Sequence, residues 1–508
     1  MGDLSKLKIA VGQPELSFSS ASANERARER MVEHAVDAGA DLLVMPGSLV
    51  DAHDVHLVVL NDSRIDVAGN AVNLEACGET YRIGLEPDDA KCDFSVLCDV
   101  APFTLSGVPS AETKAHHVPT IVLRPVGMRN YDKNVLAYDG GTKVYNADGV
   151  LIAALQDDFE EDIALVQFSE KNTIQEPVKD KLLAALVKTL RRFDEQVLPW
   201  GPKWVIGLSG GLDSSVVAVL LTLAFGPDRV LGYNLATHFN SEATKANAAQ
   251  LAEALGIQLR NGSIEPLVTA TGETLSQYGY ADDAMSGLVL ENVQARVRGH
   301  ILSTFAAVEG GVVANNGNRV ECALGYATLY GDAIGALAPI GDLTKVRLFE
   351  LAHIINGDRE SAVIPENLLP RVTDAGYDWE TPPSAELADG QRDPMKWFYH
   401  DWLIEQLLDG PSIDEVACDV MERYLSDRLI GTEVGKWMGF YGLDDPKAFA
   451  DDLDWVLRSM RTAAFKRIQA PPAIRIASPA SIDANPEVQG ALEPSPRFRM
   501  LETRIRAL

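Results

Sequence analysis

Short apolar runs alternate with polar turns over the first third of the chain. Lys8-Ile-Ala-Val-Gly12 and Asp41-Leu-Leu-Val-Met-Pro46 read as buried strands, the second ended by its proline. Between them Ala27, Met31, Ala35 and Ala38 recur at helical spacing and predict a helix over 24–38. Further short strands are predicted at 55–60, 81–85, 94–97 and 120–123. The stretch 138–154 predicts two hairpins, turning at Asp139-Gly140-Gly141 and at Ala147-Asp148-Gly149. Strand, helix and strand followed by hairpins predict a mixed α/β sheet.

An acidic run, Gln156-Asp-Asp-Phe-Glu-Glu-Asp162, ends this region. A helix is predicted over 176–197, closed by Pro199. From Lys203 the pattern becomes a regular βαβ alternation, with strands at 204–208, 229–235 and 311–314. Helices are predicted between them at 214–224, 241–255, 266–278 and 285–308. Strands separated by helices imply a parallel sheet. After Pro471 the prolines 472, 479, 486, 494 and 496 predict an extended tail ending in a short helix within 497–508. The expected organisation is a first domain at 1–168, a linker helix within 169–201, a second domain at 202–476 and a tail at 477–508. No internal repeat or low-complexity tract is found.

Composition narrows the class. The 508 residues carry 45 Lys+Arg against 73 Asp+Glu, a net charge of −28. Hydrophobic residues make up 46%, which excludes disorder as the main state. So negative a surface repels phosphates at long range and argues against a nucleic-acid-coating protein. No apolar run follows Met1 and no uncharged stretch suits a membrane span, so neither signal peptide nor membrane is expected. The five cysteines are sparse and odd in number, with no CxxC pair, which fits the cytoplasm. Charge is uneven: residues 1–170 carry a net of −15, whereas 461–508 carry +4.

The strongest chemical signal is Trp204-Val-Ile-Gly-Leu-Ser-Gly-Gly-Leu-Asp-Ser-Ser215. A buried strand ends, two glycines let the backbone approach a ligand, and small hydroxyl residues open a helix. The unpaired N–H groups of the first turn and the helix dipole then face an anion. Asp213 beside phosphates makes sense with a divalent metal between them. The run lacks the Lys of a Walker A loop. It resembles the pyrophosphatase loop of ligases that split ATP into AMP and pyrophosphate.

Five further segments sharpen this resemblance: Glu291-Asn-Val-Gln-Ala-Arg-Val-Arg298, Gly317-Asn-Arg-Val-Glu321 with Gly325-Tyr-Ala-Thr-Leu-Tyr-Gly-Asp332, Ala338-Pro-Ile-Gly-Asp-Leu-Thr-Lys345, Pro382-Pro-Ser-Ala-Glu-Leu387, and Phe465-Lys-Arg-Ile-Gln-Ala-Pro-Pro472. On the helix of the first, Val289, Val293, Val297, Ile301 and Phe305 form a stripe expected to be core. Asn292 and Arg296 lie off it, four residues apart, so both can reach one ligand. Between Arg296 and Arg298 the spacing does not decide which meets ligand. In this order the segments resemble the synthetase domain of NAD synthetases, of the type that carries its own glutaminase domain. The likeness covers about 175–475.

The resemblance implies an adenine-nucleotide hydrolase-like parallel-sheet domain and assigns roles to residues. Gly207, Ser209, Gly210, Gly211, Asp213, Ser214 and Ser215 would hold the ATP phosphates. Lys345 and Ser384 would contact ATP, as would Asn316, which stands where the family often has Thr. Asp213 and Glu321 would ligate Mg²⁺, and Asp213 and Lys345 would be the catalytic pair. Asn292, Arg296, Glu321 and Lys466 would meet deamido-NAD or its adenylate. The implied partners are ATP, deamido-NAD and ammonia, and the implied assembly is a homodimer or larger homo-oligomer. Read as an exposed loop carboxylate, Asp213 should be removable with little loss of stability.

The N-terminal region resembles a nitrilase-type glutaminase domain in Leu7-Lys-Ile-Ala-Val-Gly-Gln-Pro14, Ala38-Gly-Ala-Asp-Leu-Leu-Val-Met-Pro46, 138–149 and Phe159-Glu-Glu-Asp162. Such domains need a Glu base, a Lys and a Cys nucleophile. The Glu position is Gly47, no Lys occurs between Lys8 and Lys91, and the Cys motif is replaced by Leu85-Glu-Pro-Asp-Asp-Ala-Lys-Cys92. The expectation is a shortened α/β sandwich that cannot hydrolyse glutamine, ahead of an ammonia-using synthetase. Two other readings remain open: a non-catalytic nucleotide-binding pseudoenzyme, and another ligase of the same group such as a GMP synthetase.

Overall fold

The computed structural model describes residues 2–508 except 69–70, 86–90, 108–116, 170–171, 358–361, 374–375, 389–390, 392 and 480–493. Contacts divide the chain into two compact units, Met1–Pro199 and Trp200–Leu508.

The first unit contains strands β1 (Ile9–Gln13) and β2 (Glu15–Ser17), helix α1 (Ala21–Asp37), and strands β3 (Leu42–Pro46), β4 (Val55–Val59), β5 (Arg64–Ala68), β6 (Ala71–Ala76), β7 (Glu79–Gly84) and β8 (Phe94–Cys98). It continues with β9 (Thr120–Leu123), β10 (Val126–Tyr131), β11 (Asn134–Asp139), β12 (Lys143–Tyr145), β13 (Leu151–Ala154), β14 (Asp162–Val166) and α2 (Leu182–Val197). A four-stranded sheet, β14-β1-β3-β4, faces a seven-stranded one, β13-β12-β9-β8-β7-β6-β5. Alternation in the strands explains the layering. Ile9, Val11, Leu42 and Val44 share one buried cluster with Ile83, Phe94, Val96 and Ile121 of the other sheet. Ala10, Leu43 and Met45 point the other way and pack under Met31 and Ala35 of α1. The result is an α/β sandwich.

One predicted hairpin is corrected. β12 pairs with β9 and β13, while β11 pairs with β10 across a turn at Asp132. The turn at Asp139-Gly140-Gly141 therefore carries the chain from one sheet to another. Gln13 fixes this passage: its Oε1 accepts from the N–H groups of Gly141 (2.9 Å) and Thr142 (3.2 Å). The hairpin with its turn at 147–149 forms as expected.

The helix expected as a linker begins at Leu182 and lies within the first unit. Its residues Leu182, Ala185, Leu186, Leu190 and Phe193 make a buried stripe at helical spacing. Arg192 grips Glu15 with two hydrogen bonds, at 2.8 and 3.0 Å.

The second unit opens with β15 (Trp204–Gly207), α3 (Leu212–Phe225), β16 (Val230–Ala236), α4 (Glu242–Leu255), β17 (Gln258–Ser263), α5 (Glu265–Gln277), α6 (Gly287–Val308) and β18 (Val312–Val313). The four strands form one parallel sheet in the order β17-β16-β15-β18. Polar, largely exposed β17 escaped the sequence reading because an edge strand shows no apolar run. On α6 the expected core stripe holds from Val293 onward. Val289, in the first turn, is 48% exposed.

After the sheet come α7 (Arg319–Leu324), α8 (Lys345–Asn356), α9 (Tyr399–Asp409), α10 (Ile413–Leu425), α11 (Glu433–Phe440), α12 (Pro446–Thr462), α13 (Ala464–Gln469) and α14 (Pro496–Arg506). Leu403, Ile404, Met421, Phe449, Leu453 and Val456 build a second core, which α14 joins through Phe498, Leu501 and Ile505. The final helix thus docks by an apolar face; the proline-rich stretch before it falls mostly outside the described residues. No helix among the described residues is long and apolar enough to cross a membrane.

Candidate active site

The loop between β15 and α3 is built by two constraints. Gly210 has φ +82°, and a Cβ there would lie 1.8 Å from the Thr244 carbonyl oxygen, so only glycine fits. Gly211 caps α3 without a side-chain hydrogen bond, which leaves first-turn N–H groups without a side-chain cap. Ser209 Oγ lies 3.1 Å from Ser214 Oγ and accepts from the Gly211 N–H at 3.2 Å.

Asp213, in the first turn of α3, is the hub of the site. Its Oδ1 accepts from Lys345 Nζ at 2.6 Å and its Oδ2 from Asn318 Nδ2 at 2.9 Å. Asn318 is the N-cap of α7 and forms a capping box with Glu321. The same local rule that starts α7 therefore places Glu321 beside Asp213. Lys345 opens α8, is only 3% exposed, and lies 4.8 Å from the centre of the Trp397 ring. Burial works against its charge, but Asp213 and Glu321 outweigh it and hold its ammonium above the usual lysine range. Burial and the neighbouring Asp213 raise the Glu321 carboxyl well above its ordinary value. Burial also pushes Asp393 up to about 6.

These groups line a cavity of about 350 Å³ within the second unit. Of the residues expected from the sequence, Gly207, Ser209, Gly211, Asp213 and Ser214 line it on the loop side. Asn316, Glu321, Lys345, Ser384 and Lys466 line the rest. Asn316 donates to the Gly207 carbonyl at 2.9 Å, and its Oδ1 is buried with no hydrogen-bond partner. Ser384 Oγ donates to the Gln391 carbonyl at 2.8 Å. Lys466 Nζ donates to the carbonyls of Gly325 (2.8 Å) and Ala327 (2.7 Å), and burial lowers its pKa.

Four expected residues stand outside the lining. Gly210 shapes the loop from behind, and Ser215 Oγ turns back to the Gly211 carbonyl at 2.8 Å. Asn292 Oδ1 accepts from Thr328 Oγ1 at 2.8 Å, and Arg296 is exposed, with its Nε 3.4 Å from the Leu329 carbonyl. They converge, as their spacing suggested, but on the 328–329 segment. Arg298 faces the cavity instead, its guanidinium pushed down to about 10 by burial. Asp332, Glu386 and Asp393 also line it and were not singled out from the sequence.

Among the described residues no three His, Cys, Asp or Glu side chains form a ready metal cage. Asp213 and Glu321 do supply two neighbouring carboxylates at a helix N-terminus, the donor chemistry a phosphate-bound Mg²⁺ uses.

In the first unit, Gly47 donates its N–H to the Asp54 carbonyl at 2.7 Å and accepts from Arg28 Nη2 at 2.8 Å. A Cβ at Gly47 would lie 2.2 Å from Asp54 Oδ1 and 2.4 Å from His56 Cδ2, so these two partly exposed side chains would have to turn aside. Cys92 and Cys98 are buried, and burial pushes the Cys98 thiol up to about 12. The replaced cysteine motif falls mainly in 86–90, outside the described residues.

A protein-family model described as NAD synthase matches residues 186–423. A "Glutamine-dependent NAD(+) synthetase" of Synechocystis sp. is 34% identical over 293 residues, covering 56% of this chain and 49% of that protein. An "NH(3)-dependent NAD(+) synthetase" of Trichlorobacter lovleyi is 35% identical over 206 residues, covering 41% of this chain and 67% of that one. The chain belongs to the NAD synthase family. It spans about half the length of the first relatives it matches, 49% and 50%. A solved glutamine-dependent NAD(+) synthetase of Cytophaga hutchinsonii superposes with a TM-score of 0.68 at 13% identity, covering 98% of this chain and 99% of that one. At that identity the likeness is one of fold, and it spans both the sandwich and the parallel-sheet unit of this NAD synthase-family chain.

Proposed function

We propose that the protein is an ammonia-dependent NAD synthetase. The observation that carries this reading is the joining of Asp213, Lys345 and Glu321 at the open N-terminus of α3, inside a cavity also reached by Lys466. The nicotinate carboxylate of deamido-NAD attacks the α-phosphorus of ATP; the bond to the bridging oxygen breaks and its electron pair leaves with pyrophosphate. The first-turn N–H groups of α3 and the Lys345 ammonium balance the charge that gathers on the leaving group. Asp213 and Glu321 would hold Mg²⁺, which when bound supplies further positive charge to the phosphates. Ammonia then attacks the acyl carbon, AMP departs with the electron pair, and nitrogen loses a proton to leave the carboxamide. The chain's part is mostly positioning.

Loss of glutamine hydrolysis belongs to the same proposal. It is supported by Gly47 at the position expected for the Glu base, the absence of Lys between Lys8 and Lys91, and the burial of Cys92. A homodimer or larger homo-oligomer is expected, and size-exclusion chromatography with light scattering checks it.

The deciding assay follows AMP and pyrophosphate release from ATP with purified protein. Release that depends on deamido-NAD, with NAD formed from ammonium but not from glutamine, supports the proposal. Release triggered by xanthylate would assign the chain to another ligase of this group. NAD formed from glutamine at a rate comparable to that from ammonium would overturn the ammonia-only reading.

A further inference from the structure

Glu386 holds two walls of the cavity together. Its Oε2 accepts from Asn240 Nδ2 at 3.0 Å and from Thr244 Oγ1 at 2.9 Å; its Oε1 lies 3.4 Å from the Ser241 N–H. These partners belong to the loop after β16 and the first turn of α4, 142 to 146 positions away in sequence. Glu386 has φ +47°, a left-handed conformation that a non-glycine residue keeps only where its surroundings fix it.

The contacts lead on to the phosphate loop. Thr244 supplies the carbonyl against which Gly210 packs. Asn240 Oδ1 accepts from Arg298 Nη2 at 3.3 Å, so Asn240 links the buried guanidinium to the Glu386 carboxylate. A second tether runs beside the first: Asn367 Nδ2 donates to Asn247 Oδ1 at 3.1 Å, and the Thr381 N–H donates to the Asn367 carbonyl at 3.1 Å.

We propose that Glu386 is a positioning residue that latches the 381–387 segment to the start of α4, so that the nucleotide finds the cavity wall and the phosphate loop already in register. Glu386 touches no reacting atom in this scheme. It acts through Thr244 on the loop and through its own segment on Ser384. The proposal rests on the NAD synthetase reading only for its kinetic readout.

The test compares Glu386→Ala and Glu386→Gln with the parent by amide hydrogen exchange over 237–244 and 381–387, by binding of ATP with Mg²⁺, and by steady-state kinetics. Removing the carboxylate should loosen both segments together and weaken ATP binding and raise its KM by about tenfold, with kcat changed by less than about threefold. Gln retains one carbonyl oxygen, able to accept from both Asn240 and Thr244, and should restore most of the loss. The latch is overturned if Glu386→Ala leaves exchange in either segment unchanged, if kcat falls while KM holds, or if Gln is as damaging as Ala. Exchange and ATP binding that respond as stated in a protein making no NAD would sustain the latch and remove the functional reading.

Discussion

Lys345 and Asp213 meet at 2.6 Å with side chains only 4% and 15% exposed, 132 residues apart in the chain. The sequence suggested an exposed loop carboxylate with little effect on stability. The structure reverses that expectation, because Asp213 is the closest counter-charge of a buried ammonium. Breaking such a pair leaves a stranded charge and costs about 3–5 kcal/mol. Asp213→Ala should therefore abolish adenylation and also lower the denaturant midpoint. Asp213→Asn combined with Lys345→Met should recover much of the stability and none of the activity. Urea unfolding beside the AMP-release assay separates the two effects; an unchanged midpoint in Asp213→Ala would show that the pair is worthless to the fold.

Gly210→Ala probes backbone approach without removing any functional atom. Its new Cβ would meet the Thr244 carbonyl oxygen at 1.8 Å and would force a strained φ of +82°. The loop or the start of α4 must move, and misplacement by about an ångström at a positioning site costs on the order of a hundredfold in rate. The expected result is that loss in kcat/KM for ATP in a protein whose circular dichroism spectrum is unaltered. Parent-like kinetics would mean the loop tolerates a side chain.

What the chain reveals on inspection follows from where the information lies. The βαβ order and the loop at 207–215 were legible because strand, paired glycines, acid and helix are contiguous and each does local work. The cap at Asn318 that carries Glu321 to Asp213 is equally local. Other features depend on distant partners. Asp139-Gly140-Gly141 looks like any tight turn until Gln13, some 128 residues earlier, is seen holding the strand to another sheet. Arg296 and Arg298 both sit off the apolar stripe of α6, and only the neighbouring elements decide which faces the cavity. Glu386 lies in the segment 382–387, but only its distant partners Asn240 and Thr244 show what its carboxylate does, and Asp393 comes from a loop with no period. The helical core around Phe449 and Leu453 is different: Phe449, Leu453, Val456, Leu457 and Met460 recur at helical spacing along α12, so that helix was legible in the sequence although no element was predicted there.

Asp393 makes stability depend on pH in a definite direction. An ordinary aspartate titrates near 3.8, whereas burial raises this one to about 6. The folded protein keeps a proton that the unfolded chain releases, so the contribution is complete below the unfolded value and is lost as pH rises through the folded one. The shift corresponds to at most about 3 kcal/mol. In metal-free protein, Asp393→Asn should be more stable than the parent at pH 7, and the difference should vanish below about pH 4. Denaturant midpoints measured between pH 4 and 7 check the slope. A difference that grows toward acid would refute the assignment.

Gly47→Glu tests the proposed loss of glutamine hydrolysis by placing an acid where the resemblance to glutaminase domains expects the base. A Cβ at this position would meet Asp54 Oδ1 at 2.2 Å and His56 Cδ2 at 2.4 Å, and these partly exposed side chains would have to turn aside. Turning such side chains aside costs less than the about 1–3 kcal/mol typical of overpacking a closed core. The other two positions stay unrestored: no Lys lies between Lys8 and Lys91, and the cysteine motif is replaced by Leu85-Glu-Pro-Asp-Asp-Ala-Lys-Cys92. The substitution should therefore leave glutamate release from glutamine at background, while NAD formation from ammonium continues in the folded protein. Glutamate release above background in Gly47→Glu would show that a nucleophile and an oxyanion partner survive in the sandwich.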